Sequence, residues 1–383
     1  MKFLEIVRYL PVLGSLWRRH CRQRNLDNFF LQLPLDVIFM IAEFLNPVDL
    51  VLFSQTCDSL RVLFQKHSNA TRLSRTEYLL YLTGRARGKP RKWVCEKCMM
   101  LHPIFGFDTP AAINQVSTCP RRRGTRYTRT YYDKKRRDTR LQCGQIRIEH
   151  RHIQLALKYT RLQERKYNSY LQALLSPHHD INFRRKNNAQ LETYYSAYPK
   201  IVMGHDGNLR FLLLSTWRYH KGRGNISLDS IGYLSICPHV ALDSRLPWLF
   251  HYPGYALQDV VNRALAVEGE EQTGACPRCA TDFSVQLSCQ FLDLHVWQDF
   301  GPEGSPVDLA WKTQCEDVGL DGVTNCWHWG PTLYHEPGTI RKLYGESGNK
   351  VAVKPRDKSP VVINDPSPLT DPFGLLFFLT TFL

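Results

Sequence analysis

Two groups of cysteine and histidine stand at spacings that suit a metal ion. The first is Trp93-Val94-Cys95-Glu96-Lys97-Cys98-Met99-Met100-Leu101-His102, a C-x-x-C with a histidine four residues on. Two thiolates at this spacing can grip one tetrahedral zinc from a tight turn. The remaining positions fall to Cys119 and Cys143, with His102 as a substitute for either. A reduced, metal-free pair on a loop is the other reading of this stretch. The second group joins Cys237-Pro238-His239 to Cys276-Pro277-Arg278-Cys279, a Cys₃His set. Its halves are too far apart for a finger, so an inserted helix must bring two knuckles together. Structural zinc, one or two ions, is the expected cofactor. No thioredoxin-like βαβ pattern precedes either pair, which argues against a redox dithiol.

No catalytic signature accompanies these ligands. G-x-S-x-G, H-E-x-x-H and G-x-x-x-x-G-K-[ST] are absent from the sequence, and a non-enzyme is expected. Cys21, Cys57, Cys289, Cys315 and Cys326 read as structural. Cys57 falls on a helix, and Cys289 on the inward face of a strand, where cysteine acts as a small hydrophobe. Trp327-His328-Trp329 with Tyr334-His335 reads as packed core or a turn rather than a binding platform.

The elements that must position these residues fall into two kinds. Residues 33–64 are helical and dense in apolar side chains. Pro34 suits a first helical turn, where its missing N–H has no intrahelical partner to lose. Leu35–Leu45 reads LDVIFMIAEFL and stops at Asn46-Pro47. A second helix runs through VDLVLFSQTC and a third, short one through Leu60–Phe64. A helix apolar all round must be buried all round, and so small a unit cannot cover itself. Either the rest of the chain or another protein covers it. Downstream, a helix is expected over Arg72–Leu82, a long one over residues 150–175 and one over Ala256–Ala266. Residues 93–145 lack regular pattern. Leu209–Trp217 reads as a strand, and SVQLSCQF as a strand whose alternation then shifts, as a bulge or bend would require. The expected fold class is α+β: an N-terminal three-helix module, then a mixed, partly antiparallel-β domain with candidate zinc knuckles. The segments are 1–30, a basic lead; 31–75, the helical module; 76–350, the α+β domain; and 351–383, a Pro-rich linker with an apolar tail.

Leu33-Pro34-x-Asp36-Val37-Ile38-x-x-Ile41-x-x-x-Leu45 followed by Asp49-Leu50-x-x-Phe53-Ser54-x-Thr56-Cys57-x-x-Leu60-Arg61 resembles an F-box. The wider layout is similar to F-box proteins of filamentous fungi: W-x-C-x-x-C-x-x-x-H-P, HRHIQLALKYTRL, C-P-H, C-x-x-C-x-T-D-F and V-W-Q-D-F-G. The resemblance implies a non-catalytic substrate-recognition subunit of an SCF-type cullin–RING ubiquitin ligase. It would dock on the S-phase-kinase-associated adaptor, and through it on cullin, and hold a substrate of unknown identity. It points to Leu33, Pro34, Ile38, Ile41, Leu45, Leu50 and Phe53 as the adaptor interface or its support. A zinc-stabilised nucleic-acid-binding protein and an F-box scaffold outside ubiquitination are the alternatives.

The chain has 383 residues, with 50 Lys+Arg against 35 Asp+Glu and a formal charge of +15. The composition excludes a mostly disordered chain, a collagen-like one and a small disulfide scaffold. The excess is local, in the basic lead and in residues 121–166, which take in nearly all of CPRRRGTRYTRTYYDKKRRDTR, residues 119–140. That block could touch phosphate or act as a nuclear localisation signal, but basic loops are common and nucleic-acid binding is not the expected function. There is no convincing signal peptide and no stretch long enough to span a membrane, so a reducing cytoplasmic or nuclear setting is expected. The ending FGLLFFLTTFL is a docking peptide or the product of a misplaced exon boundary.

Overall fold

The computed structural model describes residues 29–66, 69–104, 106, 108–110, 141–143, 146–180, 191–221, 225–232, 234–242, 256–315 and 332–346. The basic lead, residues 119–140, the aromatic group 327–329, the Pro-rich linker and the apolar tail lie outside them, together with Cys21, Cys119 and Cys326.

The N-terminal module comprises α1 (Phe29–Gln32), α2 (Leu35–Glu43), α3 (Pro47–Ser54) and α4 (Asp58–Leu63). Asn46 caps α3 by accepting from Asp49 N at 2.9 Å, and Pro47 occupies the first turn. The module's core is Leu31, Ile38, Ala42, Leu60 and Phe64, with the rings of Phe30, Phe39, Phe53 and Phe64 meeting mostly edge to face. The third helix begins two residues before its expected start, because Cys57 takes an extended conformation and releases Asp58 into the first turn.

Helix α5 (Arg75–Arg87) starts three residues later than Arg72–Leu82 and ends five residues later. A Ser74–Glu77 capping box sets its start, and Thr83–Arg87 remain helical up to Gly88. The far side of the module packs here. Val48 and Val51 of α3 join Leu79, Tyr81, Leu82 and Ala86 of α5 and Val94 beyond it in one cluster. Leu52 comes so close to α5 that a Cβ at Gly84 would lie 2.5 Å from its Cδ1.

Where no pattern was expected, β1 (Lys92–Cys95) and β2 (Met100–Pro103) form an antiparallel hairpin. A second hairpin, β3 (Leu141–Cys143) with β4 (Ile146–Ile148), leads into α6 (His150–Leu162). The long helix expected over residues 150–175 is broken. Gln163 adopts φ +52°, ending α6, and a 3₁₀ turn at Arg165–Tyr167 precedes α7 (Asn168–Leu174). Helix α6 is buried on every side from Arg151 to Tyr159, not along one stripe.

The main sheet contains β5 (His178–Asp180), β6 (Glu192–Met203) and β7 (Leu209–His220). After α8 (Leu228–Ile231), the short hairpin β8 (Leu234–Cys237) and β9 (Val240–Leu242), and α9 (Ala256–Ala266), come β10 (Glu271–Ala275), β11 (Thr281–Leu287) and β12 (Phe291–Pro302). The six strands are antiparallel in the order β10-β11-β12-β7-β6-β5. α10 (Leu309–Lys312) and α11 (Thr339–Glu346) follow. The fold is therefore α+β. One sheet face, carrying Tyr195, Trp217, Leu294 and Val285 in register, meets α6, α7 and α9 in the main core. The other face is partly covered by α11.

SVQLSCQF is not one strand. Ser288 Oγ accepts from Phe291 N and donates to Phe291 O, closing a tight turn between β11 and β12. Cys289 sits exposed in that turn and not on an inward strand face. A real irregularity lies further on, between Asp299 and Pro302. There Gly301 has φ +84°, and a Cβ would stand 2.5 Å from that of Ala310.

Candidate functional site

Three places hold side chains that function could use. The first is the outer surface of the N-terminal module. Helix α2 is almost wholly apolar, yet only Ile38 and Ala42 are buried. Met40 is 56% exposed, Phe44 88% and, on α4, Val62 67%. Met40 and Phe44 stand four residues apart and share one helix face. Among the residues expected at the adaptor interface, Ile38 is fully buried and belongs to the module's own core. Leu33, Ile41, Leu45, Leu50 and Phe53 are half-buried, and Pro34 is exposed. Leu33, Leu50 and Phe53 pack on the aromatic cluster as well. Met40, Phe44 and Val62 escaped the sequence reading. Their signal was the i, i+4 spacing of two large apolar side chains opposite a buried stripe.

The second place is Cys237, His239, Cys276 and Cys279. Their ligand atoms all lie within 4.8 Å of one another, and the three cysteines are buried. The β8–β9 turn supplies Cys237 and His239, while the turn between β10 and β11 supplies Cys276 and Cys279. Helix α9 packs on β9, β10 and β11, so the inserted segment brings the halves together. Cys276 N donates to Thr281 O at 2.8 Å and Thr281 N to Cys279 O at 2.7 Å, closing the knuckle. Arg278 N donates to Cys276 Sγ at 3.4 Å, a bond that favours a thiolate. The Cys276 thiol is held far below its ordinary range by hydrogen bonds from Cys237 and Cys279, while burial pushes those two up. His239 Nδ1 is buried without a hydrogen-bond partner. Three buried sulfurs and an orphaned imidazole nitrogen fit a divalent cation, which would allow all three thiols to ionise together.

The third place is the β1–β2 hairpin, where Cys95, Cys98 and His102 converge within 4.8 Å and are all buried. Met99 takes φ +56° at the tip, and its N–H donates to Cys95 O at 2.9 Å. A left-handed non-glycine residue costs about 1–2 kcal/mol, so the knuckle is held by its surroundings. Trp93 lies against the His102 ring and under the Arg151 guanidinium. Burial lowers the His102 pKa, and Lys92 and Arg151 lower it further, which keeps the imidazole neutral and available to a metal. Cys119 lies outside the described residues, and the backbone of Cys143 lies in β3. Of the four ligands sought for this set, the hairpin itself supplies three. Both groups could hold a metal ion.

The hairpin cluster stands beside a frame of buried charge. Arg151 donates to Asp108 through Nε at 2.6 Å and Nη2 at 2.8 Å, and it pairs with Glu149. Glu149 N donates to His152 Nδ1, leaving the Nε2 proton for Asp108 Oδ1 at 3.2 Å. Burial by itself would raise the Asp108 pKa, but the bonds from His152 and Arg151 outweigh it and hold the carboxyl well below its usual range. Lys158, 1% exposed, donates to Ala86 O at 2.8 Å, Lys92 O at 3.0 Å and Lys89 O at 3.4 Å. Burial pulls its ammonium down to about 8. These bonds tie the end of α5, and with it the N-terminal module, to the centre of the α+β domain.

No helix among the described residues is long and apolar enough to cross a membrane. No curated protein and no solved structure matches the chain. The F-box domain family model matches residues 30–71, which span α1 to α4 and end just before α5. F-box domains bind adaptors of the S-phase-kinase-associated type in SCF complexes. Residues 30–71 are thus an F-box domain, and the chain is an F-box domain-containing protein.

Proposed function

We propose that this protein is a non-catalytic substrate-recognition subunit of an SCF-type cullin–RING ubiquitin ligase. Its F-box binds the adaptor, the adaptor binds cullin, and the α+β domain holds the substrate near the conjugating enzyme. Rate enhancement then comes from effective concentration, with no nucleophile required in this chain. The observation that carries the reading is the exposed apolar surface of Met40, Phe44 and Val62 within the matched domain. An apolar patch that the rest of the described chain leaves open is what a partner would cover.

Zinc is the ion that suits both cysteine-rich sets, given soft sulfur ligands and one imidazole in each. A reducing compartment, cytoplasm or nucleus, suits a chain that keeps its paired thiols for a metal. Co-purification with the adaptor tests the reading. Binding by the intact protein, abolished by Phe44→Asp in a protein that melts normally, is the expected result. A folded, unmodified protein that does not bind the adaptor removes the claim. Elemental analysis of the purified protein tests zinc.

A further inference from the structure

We propose that the metal at Cys237, His239, Cys276 and Cys279 is a latch that clamps the helix Thr339–Glu346 across the second face of the main sheet. The inference rests on the zinc reading above and assigns that ion a consequence.

The second knuckle is followed at once by the residues that hold α11. Arg278 O accepts from Leu333 N at 2.9 Å, and Arg278 Nε reaches Thr332 Oγ1 at 3.4 Å. Asp282, three residues beyond Cys279, does most of the holding. Its carboxylate accepts from Gly338 N at 3.0 Å, Ile340 N at 2.8 Å and Arg341 N at 3.0 Å, and it is bonded to His335 Nε2 at 3.0 Å. One buried side chain thus satisfies the otherwise unpaired donors at the start of α11. The bonds from His335, Arg341 and Gly338 outweigh the burial that would raise the Asp282 pKa, so the anion persists.

Helix α11 has eight residues, too few to persist without tertiary support. It needs the sheet as well as the clamp. Ile340 and Leu343 pack in one cluster with Val202, Leu212, Ala280 and Trp297. Arg341 lies over the Trp297 ring at 4.9 Å and pairs with Glu271. At the far end Lys200 Nζ donates to Tyr344 O at 2.7 Å, and Tyr344 Oη to Tyr198 O at 3.1 Å. The helix therefore has two supports. One is its contact with the sheet, and the other is a clamp at the start of β11, directly after the metal-bearing turn.

Without the ion, three buried sulfurs and a histidine lose the charge that holds them at one point, and the turn between β10 and β11 loosens together with the first residues of β11, Thr281 and Asp282. The Asp282 carboxylate then no longer meets the N–H groups of Gly338, Ile340 and Arg341 at once. Release of α11 would uncover Val202, Leu212 and Trp297, an apolar strip on a face that elsewhere carries polar residues such as Thr216, Arg218 and Asp293. Metal supply would thereby decide whether this strip is covered.

Hydrogen exchange on the full-length protein tests the latch, with zinc content measured on the same samples. Chelation that removes the zinc should speed exchange in residues 332–346 and 276–282 by about tenfold or more. Protection in the F-box helices should remain, and added zinc should restore the rest. Asp282→Ala should keep its zinc and lose protection in residues 332–346 alone. Zinc that leaves without any change in 332–346 would overturn the latch and spare the zinc reading. So would an Asp282→Ala protein with 332–346 still protected, or chelation that loosens the entire fold at once. Purified protein with no bound metal would overturn both.

Discussion

Helices α2 and α6 invert the usual sorting of side chains in opposite ways. Helix α2 is nearly all apolar, yet it leaves Met40 and Phe44 in water. Helix α6 carries Arg151, His152, Lys158 and Arg161, yet its centre is sealed from solvent. Each departure has a cost, and the place where that cost is met tells the role. The charges of α6 are answered inside the chain, by Asp108, Glu149, Glu303 and backbone carbonyls at residues 86, 89 and 92. The exposed side chains of α2 are not covered by the described chain. Buried charge that is fully paired marks architecture, and exposed apolar surface on a small domain marks a partner.

Four experiments bear on that contrast. Arg151→Met should be the most damaging, because it leaves Asp108 and Glu149 buried beside each other without their cation. A loss of about 3–5 kcal/mol is expected in chemical denaturation, and a neutral result would remove α6 as the structural hub. Ile38→Ala empties a fully buried site in the F-box core and should cost about 2–4 kcal/mol. Because α3 shares a cluster with α5, the loss should register in the unfolding of the whole chain, and an independent melt of the F-box would show the two regions to be separate.

The third experiment uses pH. The Asp108 carboxyl titrates lower in the folded protein than in the unfolded chain. Its stabilisation is therefore complete above the ordinary carboxylate pKa of about 4 and drains away as pH falls through the folded value. Thermal melts at descending pH should show wild type losing more stability than Asp108→Asn, which starts weaker at neutral pH. Parallel curves would mean that the Arg151–His152 frame does not hold that carboxylate. The smallest effect on stability belongs to Phe44→Asp, within about 0.5 kcal/mol, since the ring is already in water. Its effect should fall on adaptor binding alone, which separates contact from core in a way that Ile38→Ala cannot.

The F-box was legible because its signals are local. Pro34, Asn46-Pro47 and the apolar runs act over one or two helical turns, and the observed helices begin and end within a few residues of them. Strand β7 and helix α9 were legible for the same reason. The break at Gln163 and the turn at Ser288–Gln290 were not. A left-handed glutamine carries no residue-type signal, and a short turn shifts hydrophobic alternation just as a bulge does. Burial all around α6 was equally hidden, since its charges look like a solvated face until Asp108, Glu303 and the carbonyls after α5 are placed around it.

Sequence alone specifies which atoms are available: five cysteines and two histidines in pairs and knuckles, and an apolar F-box motif near the start of the chain. Tertiary structure decided which of them meet. Helix α9 brings Cys237 and His239 to Cys276 and Cys279, and the β1–β2 hairpin turns His102 back onto Cys95 and Cys98. It also decided that Ile38 is core and Phe44 is surface, although both stand on one apolar helix. Residue type and short-range spacing set what a side chain can do. Burial depends on which distant segment arrives to cover it, and that follows from the packing of the whole chain.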